Sequence, residues 1–250
     1  MILGIIPARY ASTRFPGKPL INIEGRTMIH RVYEQAIKSR SLDRVVVATD
    51  DDRIAKHVRL FGGEVVMTHS NHPSGTDRCQ EVVAGLGGDY EYVINIQGDE
   101  PFIHPEQIDE LAGVLKGGGT EIATLMIAIE SPELLFNTGE VKIALNPAME
   151  ALYFSRSPIP YLKGVPESEW HLRRAYYRHV GMYAYRRDVL AKITQLAPSS
   201  LEKAESLEQL RWLEAGYKIK CAITRYESHC IDTPEDVELV LKMIRDQAKL

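Results

Sequence analysis

Residues 1–20 constrain this chain more than any other stretch, because an apolar run stops at Pro7 and opens directly into a basic, proline-bounded loop. Ile2, Leu3, Ile5 and Ile6 read as a short strand apolar on both faces, the pattern of a buried strand in a parallel sheet. The loop that follows carries Arg9, Arg14 and Lys18 among prolines, a glycine and hydroxyl side chains, so a constrained backbone turns its donors outward. In open α/β sheets ligands bind beyond the carboxyl ends of the strands. A loop in that position suits a polyphosphate. The alternative is a solvated loop with scattered charge; the buried strand that delivers it to the sheet edge weighs against that reading.

The rest of the composition narrows the class. At 250 residues the chain can bury a large core as one domain or one domain with an appendage. With 44% hydrophobic and 26% charged residues it has the make-up of an ordinary soluble protein. A net charge of -4 makes nonspecific nucleic-acid binding a poor expectation, so an anion site must come from a local basic cluster. Cys79, Cys221 and Cys230 show no C-x-x-C spacing, which points to neither a disulfide framework nor zinc and suits a reducing compartment. No stretch approaches membrane-spanning length and the first residues lack a signal-peptide pattern, so the expected location is cytoplasmic, with no membrane insertion.

Helical spacing over 28–39, then Val45, Val46, Val47 and Ala48, gives a first βαβ unit. Asp50, Asp51 and Asp52 could suggest a metal, but Thr and Asp before an apolar-periodic segment read better as a helix cap. A third strand is expected at 64–67. His69 and His72 flank a polar, proline-containing loop and fix no common face, so the loop reads as base recognition through Ser74, Thr76 and Arg78 rather than as a metal pair. A fourth strand over 92–97 ends in Gly98 and Asp99. Because the next helix starts with Pro105, Asp99 has no capping duty and is a candidate hard-cation ligand; the alternative is a turn Asp bonding its own backbone.

Beyond the strand at 122–129 the βα regularity lapses. Strands at 141–145, 151–154 and 178–185 read as an antiparallel appendage, placed at about 141–186 and expected to serve dimerisation, within a single domain spanning 1–250. Helices are expected at 187–195 and 201–213 and a last strand at 219–225. Thr233, Pro234 and Asp236 then start a helix that leaves Asp232 outside it.

Taken together, PARYASTRFPGKPL at 7–20, SGTDR at 74–78, QGDEP at 97–101, YFSR at 153–156, RHVG at 178–181, LEQLR at 207–211 and DTPED at 232–236 closely resemble the 3-deoxy-manno-octulosonate (Kdo) cytidylyltransferases, also called CMP-Kdo synthetases. The resemblance runs almost end to end. It implies the reaction of CTP with Kdo to give CMP-Kdo and pyrophosphate, with Mg²⁺, for lipopolysaccharide biosynthesis, and a homodimer. It also implies an α/β nucleotidyltransferase fold of the nucleotide-diphospho-sugar transferase type, three-layered, with a mostly parallel mixed central sheet and a small antiparallel appendage. By position, Ala8, Arg9, Arg14, Lys18, Ser74, Arg78 and Gln97 would bind the nucleotide, and Asp99 and Asp232 the metal, with Arg9, Lys18, Asp99 and Asp232 catalytic. Gln97, Arg156, His179, Tyr183, Glu208 and Gln209 would surround the sugar acid. Read without the family, His179 is equally a satisfied core histidine and Arg156 a surface ion pair, and Cys79 is a packed hydrophobe. A transferase activating sialic acid and a nucleotide-binding regulator are the rivals; a Rossmann dehydrogenase is weaker, since G-x-G-x-x-G is missing after the first strand.

Overall fold

The computed structural model describes residues 1–11, 15–227 and 229–247, the last five as backbone. The elements begin with β1 (Ile2–Ala8), β2 (Asn22–Ile23), β3 (Arg26–Thr27), α1 (Met28–Ala36), β4 (Arg44–Thr49), α2 (Asp52–Leu60), β5 (Val65–Met67), α3 (Gly75–Gly85), β6 (Tyr92–Asn95) and α4 (Pro105–Lys116). They continue with β7 (Ile122–Ala128), α5 (Pro132–Phe136), β8 (Lys142–Leu145), β9 (Ala151–Ser155), α6 (Trp170–Arg173), β10 (Tyr177–Arg186), α7 (Arg187–Ile193), α8 (Ser200–Glu205), α9 (Gln209–Glu214), β11 (Ile219–Ile223) and α10 (Pro234–Gln247). Two compact units are formed, Met1–Asp109 with Glu227–Leu250, and Glu110–Tyr226, so the boundary falls inside α4.

The first unit carries a parallel sheet in the order β6-β1-β4-β5. Its centre is apolar because β1 is buried on both faces, with Leu3, Ile5 and Ile6 wholly inaccessible. Helix α1 begins where the Thr27 side chain accepts from the His30 N–H, and it buries Met28, Ile29, Val32 and Ala36. Met28, Ile29 and Val32 each contribute roughly 1.5–3 kcal/mol of transfer free energy. The aspartate triplet does cap α2, through Asp51, whose carboxylate accepts from Arg53 N at 2.9 Å. Successive strands step away from β1 through β4 to β5, and the chain then returns to place β6 on the other side of β1. The direction of winding therefore reverses between β1 and β6, and such a reversal opens a crevice beyond the strands' carboxyl ends.

In the second unit β7 pairs in parallel with β11 and antiparallel with β10, which also pairs antiparallel with β8, and β8 with β9. The antiparallel character expected of 141–186 is present as β8, β9 and β10. Its polar stretches hold more structure than periodicity revealed: α5 and α6 bring Leu135 and Trp170 against Ile129 and Tyr176 in one buried cluster. The helix expected over 201–213 is two helices. Ser206 adopts a left-handed conformation (φ 54°, ψ 48°) after α8 and turns the chain, so that Leu207 is buried and α9 starts afresh. Ser199 and Glu202 form a reciprocal capping box at the start of α8, and Arg211 of α9 donates to Glu202 at 2.7 Å.

Lys142 is fully buried in this unit. Its ammonium donates to the carbonyls of Asn137 at 2.8 Å, Glu140 at 2.6 Å and Arg156. Burial lowers its pKa from the ordinary lysine value. Among the described residues no helix is long and apolar enough to cross a membrane.

Candidate active site

The crevice between the ends of β1 and β6 holds a cavity of about 230 Å³ in the first unit. Ala8, Arg9, Lys18, Ser74, Arg78, Gln97, Asp99 and Asp232 all line it. Of the side chains expected for nucleotide and metal, Arg14 lies outside the described residues.

Lys18 is set by its local sequence. Gly17 takes φ 73°, a left-handed conformation that only glycine adopts freely, and its N–H donates to Tyr10 O at 3.0 Å. The next three residues, Lys18 to Leu20, close a tight 3-10 turn anchored by buried Pro19. Asp99 follows β6 and Asp232 precedes α10, yet the two loops are tied by a backbone bond from Ile231 N to Asp99 O at 2.9 Å. Asp236 fixes the second loop by accepting from Asp232 N at 2.9 Å and Thr233 N at 2.8 Å. Beneath them, Ile23, Met28, Ile231 and Val240 pack with Phe15 and Phe102, so hydrophobic burial holds the Lys18 loop to the start of α10.

The Lys18 ammonium bridges the two acids, 2.8 Å from Asp99 Oδ2 and 3.0 Å from Asp232 Oδ1. Burial works against its charge, but Asp99 and then Asp232 prevail and raise its pKa, so Lys18 is protonated at neutral pH. Asp232 is therefore outside its helix, as expected, but it is paired. Two carboxylates already gathered about one cation are a donor set that fits a hard divalent ion. Cys230 Sγ joins Asp99 and Asp232 in a group whose ligand atoms lie within 4.8 Å of one another, a neighbour that no motif disclosed.

Gly98 matters through its size. A Cβ there would stand 2.6 Å from Pro7 O, so glycine lets the β6 loop lie directly on the end of β1; its φ is not in the left-handed range, and flexibility is not the reason for it. Asn95 was not singled out by the sequence. It is buried at the end of β6, lines the cavity, and its Oδ1 has no hydrogen-bond partner among the described residues.

The base-recognition loop is occupied with structural work. Ser74 caps α3, accepting from Asp77 N at 3.2 Å while its hydroxyl donates to Asp77 Oδ2 at 2.6 Å. Arg78 is buried; its guanidinium pairs with Asp50 at 3.0 Å and donates to Thr68, which gives Asp50 a role apart from the cap of α2. His69 and His72, read as having no common face, both reach Glu81 of α3.

The remaining expected residues belong to the second unit. His179, on β10, lies 2.9 Å from the Thr124 hydroxyl, which in turn donates to Met182 O at 2.8 Å. Burial pushes its pKa down to about 3, so the ring is neutral. Tyr183 packs 5.0 Å from His179 and edge-on to Trp212 of α9 at 5.1 Å between ring centroids, and burial raises its pKa well above the ordinary value. Glu208 stands at the cap of α9, and Gln209, its first residue, is buried. Among the described residues Arg156 makes no surface ion pair; its side chain donates to Glu205 O at 2.8 Å and Thr138 O at 3.1 Å.

Comparison with known proteins accords with these features. A sequence model of the family described as cytidylyltransferase matches residues 3–219. A 3-deoxy-manno-octulosonate cytidylyltransferase of Cytophaga hutchinsonii is 56% identical, covering 94% of this chain and 94% of its own length. One of Parabacteroides distasonis is 54% identical, with 98% of each covered. Among solved structures, a CMP:2-keto-3-deoxy-manno-octonic acid synthetase complexed with CTP superposes with a TM-score of 0.91 at 42% identity, covering 98% of this chain and 99% of that one. The α/β nucleotidyltransferase fold is thereby shown, and the chain belongs to the 3-deoxy-manno-octulosonate cytidylyltransferase family.

Proposed function

We propose that this protein transfers the cytidylyl group of CTP to Kdo and releases pyrophosphate. The observation that carries the reading is the meeting of Lys18, Asp99 and Asp232 at the switch point of the sheet, in a chain so similar to named Kdo cytidylyltransferases. The anomeric hydroxyl oxygen of Kdo attacks the α-phosphorus in line. As that P–O bond forms, the bond from the α-phosphorus to the bridging oxygen breaks, pyrophosphate leaves with the electron pair, and the hydroxyl proton is released.

Both reactants are anions, so cationic side chains must offset their repulsion and the charge growing on the leaving group. Lys18, protonated and aimed by its turn, and exposed Arg9 supply that charge. Asp99 and Asp232 would hold Mg²⁺, which when bound polarises the phosphoryl oxygens and neutralises part of the charge. For the sugar acid the proposed contacts are Gln97, Arg156, His179, Tyr183, Glu208 and Gln209. The neutral state of His179 suits a hydrogen bond to a hydroxyl rather than an ion pair with the carboxylate.

In the same reading the product supplies lipopolysaccharide synthesis, the enzyme works in the cytoplasm, and it acts as a homodimer without nucleic acid. Exposed Leu152, Tyr161 and Leu172 support a contact surface on the 141–186 segment, and sedimentation of the purified protein tests it. The activity is tested by pyrophosphate release from CTP with Kdo and Mg²⁺. Asp99→Asn should lower turnover by about 10²-fold or more with an unchanged melting temperature. Release with sialic acid but not Kdo would overturn the substrate, and full turnover of Asp99→Asn at limiting Mg²⁺ would remove the aspartate from the metal.

A further inference from the structure

A second group of ligating side chains lies in the first unit and takes no part in the proposed chemistry. His69 and His72 lie in the loop between β5 and α3, and Glu81 projects from α3 between them. His69 Nδ1 is 2.6 Å from Glu81 Oε1, His72 Nε2 contacts Glu81 Oε2, and one ligand atom from each residue lies within 4.8 Å of the others. The carboxylate is oriented from the backbone as well, since His69 N donates to Glu81 Oε2 at 3.0 Å.

We propose that His69, His72 and Glu81 form a binding site for one borderline divalent cation, Zn²⁺ or Co²⁺, held by two imidazole nitrogens and one carboxylate oxygen. Two histidines and a carboxylate are a recurrent three-ligand set for such ions and leave a fourth position for water. The site differs in kind from Asp99 and Asp232, whose oxygens favour a hard ion. His69 is mostly exposed, with 81% of its side chain accessible, which gives the ion an entry path. His72 also lines the cavity proposed for the nucleotide, so a bound ion would tie the cavity wall to α3 and hold the loop that ends at Ser74, the cap of α3.

The test is a Co²⁺ titration of metal-free full-length protein in saturating Mg²⁺, read by visible absorption. One equivalent with the intense bands of four-coordinate Co²⁺ is expected, displaced by Zn²⁺ and retained in Asp99→Asn. His69→Ala, which removes an exposed ring and should melt normally, should weaken binding by at least the roughly tenfold that loss of even an outer-shell partner costs. Glu81→Gln should do the same. Absence of the bands, equal affinity in His69→Ala, or their loss in Asp99→Asn would overturn the proposal, leaving a hydrogen-bonded clasp in the first two cases and an ion at the other acids in the third.

Discussion

One unit half-buries a lysine and the other buries one completely, and the two are handled in opposite ways. Lys18 lies between two carboxylates that raise its pKa. Lys142 is deeper, faces neutral carbonyls, and has its pKa lowered by burial. Carbonyl dipoles satisfy an ammonium's donors without cancelling its charge, and they cannot turn away, because they are main chain. Carboxylates cancel the charge and can exchange one cation for another. The first arrangement holds a fold together; the second, in the proposed function, is the cation site that a substrate or an ion would enter.

The largest expected effect breaks the contrast at Lys18. Lys18→Met should lower the rate of pyrophosphate release by about 10²–10³-fold, the scale of losing one charge-stabilising donor. Its melting temperature in saturating Mg²⁺ should stay near that of the parent. Added Mg²⁺ should raise that temperature more than in the parent protein, because the ion no longer competes with an ammonium; equal shifts would show that Lys18 and the ion do not share the acids. Next comes Lys142→Met, which keeps most of the volume but takes the ammonium's hydrogen bonds from three carbonyls. It should cost about 3 kcal/mol, read in urea unfolding, or roughly 6–12 °C in melting temperature, with turnover per folded molecule retained.

The smallest effect sharpens the comparison through His179, another group in the second unit whose pKa burial lowers. Its folded pKa, about 3, lies below the 6.5 of an ordinary histidine. Between those values the unfolded chain binds a proton that the folded chain does not, so stability is full above pH 6.5 and falls as pH falls. The slope approaches about 1.4 kcal/mol per pH unit. His179→Gln should flatten that part of the profile, measured by denaturant unfolding at several pH values between neutrality and pH 5; an unchanged slope would mean that the ring is not held neutral.

Much of this was legible in local pattern. The apolar run of β1, the Asp51 and Pro234 helix starts, and the lack of a capping duty for Asp99 each depend on neighbours within a few residues. That Asp232 comes to Asp99 across the chain was available only through family resemblance. Other features depend on tertiary context that no period encodes. Glu81 meets His69 and His72 only because the loop folds back on its own helix, and Ser206 breaks a well-patterned helix because burying Leu207 outweighs a left-handed serine. Ser74 and Arg78 show the converse: donors that suit a ligand are also the groups that cap a helix and pair with a half-buried aspartate.

The contact between Gly98 and Pro7 sets the width of the crevice by a hydrogen atom. Exchange that hydrogen for a methyl group and the β6 loop must lift away from the neighbouring strand, taking Asp99 with it and stretching the tether to Ile231. The spacing of the two acids is therefore governed at a position that contributes no functional group, and an engineer seeking to widen this cleft would begin there.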